Sequence, residues 1–243
     1  MSSKYLSNQP IPHNQRLIMA LDVPTSAQAK LLVEQLGDSV NFYKIGMELF
    51  MAGDYFQLIE WLKLQDKQIF VDLKFFDVPE TVARAIKSLN QRGVDFATIH
   101  GNQSMMEAAA LEKGNLKILA VTALTSLDRG DLDDLGFQCS IADLVLSRAR
   151  RALQSGCDGV ISSGLEVPAL RQQLDHHLLV ISPGIRPVEN RIEDDQKRIV
   201  TVTTAFHNGA DYIVVGRPIR DSSNPREAAL AIQQQISNAF TSE

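Results

Sequence analysis

Short apolar runs rich in β-branched residues recur along the chain, and most are followed by a stretch in which apolar residues return at helical spacing. Eight runs stand out: Arg16 to Leu21, Asn41 to Ile45, Gln68 to Asp72, Phe96 to His100, Lys117 to Thr122, Gly159 to Ser163, Leu178 to Ser182 and Tyr212 to Gly216. Each is mostly apolar, as strands buried on both faces should be. Between them, Ser26 to Leu36, Pro79 to Arg92, Ile141 to Gln154 and Pro225 to Ala239 read as helices, with turn residues at many junctions. Such alternation predicts a parallel α/β fold, and eight units in 243 residues predict a single (β/α)8 TIM barrel, whose usual size is about 250 residues. A doubly wound open sheet is the alternative. It would usually place a glycine-rich phosphate turn after the first strand, where this chain has Asp22-Val23-Pro24-Thr25. No composition shift divides the sequence, so residues 1–15 read as a polar N-terminal extension and 16–243 as one barrel domain.

Composition narrows the class of partner. An apolar content of 44% is ordinary for a chain that buries a substantial core. The formal charge of −5 comes without a basic block or an arginine stripe, so neither nucleic acid nor an anionic membrane is an expected partner, and a small molecule is. Cys139 and Cys157 form neither a disulfide framework nor a zinc-site spacing. The first residues lack the apolar core of a signal peptide and no apolar run reaches membrane-spanning length, so a cytoplasmic protein is expected.

Polar residues gather where the apolar runs end: Asp22, Lys44, Asp72 with Lys74, His100, Thr122 with Thr125, Ser162 with Ser163, Arg186 and Arg217. In a barrel these ends converge on one face, where the active site is built. The densest signal is Asp72-Leu73-Lys74-Phe75-Phe76-Asp77. Residues two apart in an extended strand point the same way, so Asp72 and Lys74 should enter the pocket together, with Lys44 approaching from the neighbouring strand. Lys44, Asp72, Lys74 and Asp77 then make a nearly neutral row of alternating charge. Carboxylates beside a lysine favour its ammonium form, which suits a proton donor better than the neutral lysine of a Schiff-base aldolase. Interleaved ammonium groups also disfavour Mg²⁺. A purely structural ion-pair network remains the alternative.

A second constellation, Pro183-Gly184-Ile185-Arg186 after the seventh strand and Gly216-Arg217 after the eighth, lies where TIM barrels repeatedly bind phosphate. The polar stretch Pro187 to Arg198 between them is long enough for a lid, with Gln196 able to reach the phosphate. The five histidines show no metal-ligand spacing, and His100, alone at a strand end, reads as a packing or hydrogen-bonding residue.

Leu21-Asp22, Lys44-Ile45-Gly46, Asp72-Leu73-Lys74 with Asp77, Leu124-Thr125-Ser126, Pro183-Gly184-Ile185-Arg186 and Val215-Gly216-Arg217-Pro218, in this order, closely resemble the orotidine 5′-phosphate decarboxylase family. The strand-three segment alone is shared with keto-gulonate-phosphate decarboxylases and hexulose-phosphate synthases. The resemblance implies conversion of orotidine 5′-monophosphate to uridine 5′-monophosphate and CO₂, the last step of de novo UMP synthesis, without metal or organic cofactor. It implies that Lys74 protonates C6, Asp72 lies beside the departing carboxylate, and Lys44 and Asp77 complete the charged row. Asp22 and Lys44 would hold the ribose, Thr125 and Ser126 the pyrimidine end, and Pro183, Arg186, Gln196, Gly216 and Arg217 the phosphate end. It further implies a homodimer in which Asp77 and Thr81 reach the partner's site. Phe76 and Glu80 depart from the pattern, standing where histidine and asparagine are common in bacterial relatives. A magnesium-dependent keto-gulonate-phosphate relative and a non-catalytic phosphate-binding barrel are the alternative functions.

Overall fold

The computed structural model describes residues 4–186 and 199–241. Its eight strands are β1 (Leu17–Ala20), β2 (Phe42–Gly46), β3 (Gln68–Phe75), β4 (Phe96–His100), β5 (Lys117–Val121), β6 (Gly159–Ile161), β7 (Leu179–Ser182) and β8 (Tyr212–Val215). Each pairs in parallel with its sequence neighbours, and β8 returns to β1 with Ile213 beside Leu17, so the sheet closes into the expected TIM barrel. The continuous apolar runs follow from this closure. Ile18 and Ala20 point into the barrel while Leu17, Met19 and Leu21 pack under the helices, and the same division holds around the ring. Inside, Phe42, Phe70, Phe96 and Tyr212 fill the lower barrel with edge-to-face contacts, the tightest being Phe42 to Phe96 at 4.8 Å between centroids. Such pairs add about 0.5–1.5 kcal/mol each beyond area burial.

The expected helices are present as Ser26–Leu36, Pro79–Gln91, Ile141–Gln154 and Pro225–Thr241, among others. Local chemistry sets their ends. The Thr25 hydroxyl accepts the Gln28 N–H and the Ser140 hydroxyl accepts that of Asp143, each satisfying a donor the helix cannot use itself. Among the described residues, no helix is long and apolar enough to cross a membrane.

Three even-numbered strands begin with the same device, Gly93-Val94-Asp95, Gly156-Cys157-Asp158 and Gly209-Ala210-Asp211. Each glycine ends the preceding helix with positive φ, 70°, 80° and 103° in turn, a conformation that favours glycine. Each aspartate then accepts a backbone N–H from the preceding strand, of Ile69, Ile118 and Val180, at 2.8, 2.8 and 2.7 Å. A cation meets each carboxylate: Lys63 at 3.7 Å, Lys113 at 2.9 Å and Arg171 at 2.6 Å. The Arg171–Asp211 pair is buried, and residues 4–15 pack beside it across the N-terminal mouth of the barrel. There Ser7 donates to Asp211, and Arg16 donates to the carbonyls of Asp211 and Gln9 at 3.1 and 3.0 Å.

Candidate active site

At the opposite mouth, the C-terminal strand ends surround a cavity of about 380 Å³, within the usual range for a small-molecule site. Asp22, Lys44, Asp72 and Lys74 line one side, Thr125 and Ser126 another, and Pro183, Arg186, Gly216 and Arg217 a third. The structure thus brings these ten sequence-expected residues together. Asp77 and Thr81 do not line it. Asp77 is exposed, its carboxylate accepting the Val78 N–H at 2.6 Å, and Thr81 lies in the first turn of Pro79–Gln91. Gln196 and the stretch Pro187 to Arg198 fall outside the described residues. The residues flanking that stretch are joined, because Arg186 N–H donates to Val200 O at 3.0 Å and Val200 N–H to Gly184 O at 3.2 Å.

Within one chain the charged row is Asp22–Lys44–Asp72–Lys74, with Asp22 rather than Asp77 as its second carboxylate. The Lys44 ammonium lies 2.9 Å from Asp22 and 3.6 Å from Asp72, and the Lys74 ammonium lies 2.9 Å from Asp72. Side-chain exposure separates the two lysines, 11% for Lys44 and 37% for Lys74, so Lys44 is wedged between carboxylates while Lys74 opens on the cavity. Packing leaves little slack, since a side chain at Gly46 would bring a Cβ to 3.2 Å from the Lys44 ammonium.

The electrostatics follow from burial opposed by pairing. Burial, the largest single influence on Asp72, pushes its carboxyl up, but Lys44, Lys74 and the Thr98 hydroxyl together hold it below the ordinary carboxylate range. Burial likewise works against the Lys44 charge, and Asp72 with Asp22 overcomes it, raising that lysine above its usual value. A divalent cation held by these carboxylates would have to displace Lys44 from between them. A Schiff base at Lys44 would need the neutral amine that this environment disfavours.

Asp72 and Lys74 both enter the cavity, but not through the simple alternation expected. The β3–β4 register shifts between Val71 and Phe75: Val71 stands beside Ala97 and Phe75 beside Ile99, so Asp72, Leu73 and Lys74 together face Thr98. Lys74 takes φ 49°, the left-handed region that a side chain rarely adopts. Thr98 is a functional candidate the sequence did not reveal, since a threonine in mid-strand reads as an ordinary β-former; its position two residues before His100, on the inward face, is the available signal. Arg220 is a second. One helical turn after Arg217, it lines the cavity, donates to the Asp22 carbonyl at 2.5 Å, and pairs with Asp221 through two nitrogens at 2.6 and 3.0 Å.

His100 has the packing role expected of it, its ring 4.7 Å from that of Phe76 and its Nδ1 3.3 Å from Asn102 Oδ1. Glu80 pairs with Arg84 at 3.0 Å, one turn along its own helix.

Known proteins share both the sequence and this architecture. A Methylococcus capsulatus protein described as orotidine 5'-phosphate decarboxylase is 70% identical over 236 residues, covering 97% of this chain and 98% of that protein. One of the same description from Stenotrophomonas maltophilia is 51% identical, covering 97% and 99%. The crystal structure of orotidine 5'-phosphate decarboxylase from Lactobacillus acidophilus superposes with a TM-score of 0.81 at 36% identity, covering 91% of this chain and 99% of that one. Residues 15–232 match the family model described as Orotidine 5'-phosphate decarboxylase / HUMPS family, and the chain belongs to that family.

Proposed function

We propose that this protein decarboxylates orotidine 5′-monophosphate to uridine 5′-monophosphate and CO₂, the last step of de novo UMP synthesis, in the cytoplasm and without metal or organic cofactor. The observation that carries the reading is the Asp22–Lys44–Asp72–Lys74 row, lodged in the cavity that also holds Arg186, Gly216 and Arg217. The activity is that of the relatives, and the row suits its chemistry. When the bond from C6 to the carboxylate carbon breaks, the electron pair stays on C6 in the plane of the ring, where delocalisation does not reach it. A fixed ammonium stabilises that charge as it develops, and the Lys74 ammonium, the more open of the two, supplies the proton that replaces CO₂.

Asp72 lies beside the departing carboxylate in this reading. Asp22 and Lys44 hold the ribose, and Thr125 and Ser126 face the pyrimidine. Pro183, Arg186, Gly216 and Arg217, with Gln196, serve the phosphate. Residues 183–186 after β7 and the short helix Arg217–Arg220 after β8 lie at the recurrent phosphate position of this fold. Binding energy gathered there supports alignment at the reacting carbon. A homodimer completes the assignment, Asp77 and Thr81 entering the partner's cavity. Their location outside their own cavity, beside exposed Phe76 and Val78, supports that role.

The test follows orotidylate absorbance with purified protein before and after exhaustive EDTA treatment. Turnover unchanged by EDTA is expected. Loss restored by Mg²⁺ would instead favour a metal-dependent sugar-phosphate activity, and UMP binding without CO₂ release would leave a non-catalytic barrel.

A further inference from the structure

We propose that Thr98 is a positioning residue that sets the geometry of the Asp72–Lys74 pair, an inference that rests on the decarboxylase reading. Thr98 is fully buried on the inward face of β4, two residues above Phe96 of the barrel interior. Its hydroxyl donates to Asp72 Oδ1 at 2.8 Å and accepts the Lys74 backbone N–H at 3.0 Å. One small group thereby grips both ends of the bulge. The carboxylate oxygen it holds is the one that receives the Lys74 ammonium at 2.9 Å.

The strand geometry explains why something must stand there. A regular parallel ladder would give the Lys74 N–H a backbone partner, but the register shift sets three β3 residues against Thr98. The N–H needs an acceptor and the buried Asp72 oxygen gains from a donor. A hydroxyl supplies both at once, whereas a hydrocarbon side chain of the same shape supplies neither. The Lys74 backbone, at φ 49°, is held in its uncommon conformation by this contact. Without it the bulge is free to relax toward extended chain, and the ammonium moves relative to Asp72. Thr98 does not line the cavity, so it acts through its neighbours and not on the substrate.

The experiment compares the wild-type protein with Thr98→Val and Thr98→Ser, measuring kcat and KM for orotidylate and the dissociation constant of UMP. Thr98→Val should lose about 10- to 100-fold in kcat, as misplaced catalytic groups do, while UMP affinity changes by no more than about twofold. Thr98→Ser keeps the hydroxyl and should restore kcat to within a few-fold of wild type. Should Thr98→Val not fold by circular dichroism, Thr98→Ser decides: retained turnover supports the inference and lost turnover overturns it. A folded Thr98→Val with wild-type kcat also overturns it, as does a parallel fall in kcat and UMP affinity, which would indicate general damage to the cavity. Wild-type protein inactive on orotidylate would sink the reading of function; active wild type with an unaffected valine variant sinks only the role of Thr98.

Discussion

Replacing Lys74 with alanine removes one ammonium, the proposed proton donor, while the rest of the charged row stays in place. The expected loss comes from two sources. A unit charge about 4 Å from the developing electron pair, at an effective dielectric constant of about 20, contributes roughly 4 kcal/mol, or about a thousandfold in rate. Losing a positioned proton donor removes a further factor of about 10² to 10⁴. Turnover should therefore fall by roughly 10⁵-fold or more. The fold should survive, because the Lys74 side chain is 37% exposed and Asp72 retains Lys44 at 3.6 Å and Thr98 at 2.8 Å. The assay follows orotidylate absorbance at saturating substrate, with UMP binding by calorimetry and a urea transition on the same samples. A folded variant whose kcat stays within about tenfold of wild type would refute the assignment of Lys74 as the acid. Equal loss of UMP affinity and turnover would move Lys74 from chemistry to binding.

Asp211→Ala tests the opposite face. It strands the buried Arg171 and removes the acceptor of the Val180 N–H, which should cost about 3–5 kcal/mol in urea unfolding with turnover per folded molecule unchanged; a loss under about 1 kcal/mol would show that the pair contributes little. Arg217→Ala should weaken UMP binding by about 10- to 100-fold, the worth of a charged hydrogen bond, and unchanged titrations would remove Arg217 from the phosphate end. The depressed Asp72 pKa makes a signed prediction. Its stabilisation is fully present above the unfolded value of about 3.9 and is lost as pH falls through the lower folded value, so Asp72→Asn should flatten the acid side of the stability curve. Parallel urea midpoints for variant and wild type across that range would contradict it.

The barrel was legible because every strand is covered on both faces, which writes eight apolar runs into the sequence, and most boundaries fall within a residue or two of expectation. β3 is the exception, running on to Phe75 past Asp72, because polar and bulged residues at its end do not look like strand. The charged row was legible as residue types at strand ends. The place of Asp22 in it was not: Asp22 stood apart at the end of the first strand, and only three dimensions bring its carboxylate to 2.9 Å from the Lys44 ammonium. The bulge carries no glycine to announce it, so Thr98 was invisible as its partner. The Gly-x-Asp turns look like ordinary loops until the strands they join are known. Residues 4–15 read as an appendage because Ser7 and Gln9 are polar, yet their polar atoms meet Asp211 and Arg16 at the barrel floor.

Those three aspartate turns bear on the order in which the chain assembles. Each links a strand to the one before it across 26, 40 and 31 residues, so its hydrogen bond forms with only modest loop-closure entropy. The β1–β8 contact spans nearly the whole chain and has no such local route. Paired strands such as β3–β4, β5–β6 and β7–β8 should therefore become structured as separate modules, with ring closure last. Pulsed hydrogen exchange during refolding reads this directly: the amides of Ile69, Ile118 and Val180 should be protected before that of Ile213, which donates to Arg16 O across the closing seam. Protection of Ile213 first would reverse the order. With ring closure last, the candidate cavity, which draws on both sides of that seam through Asp22 and Arg217, is the final part of the molecule to form.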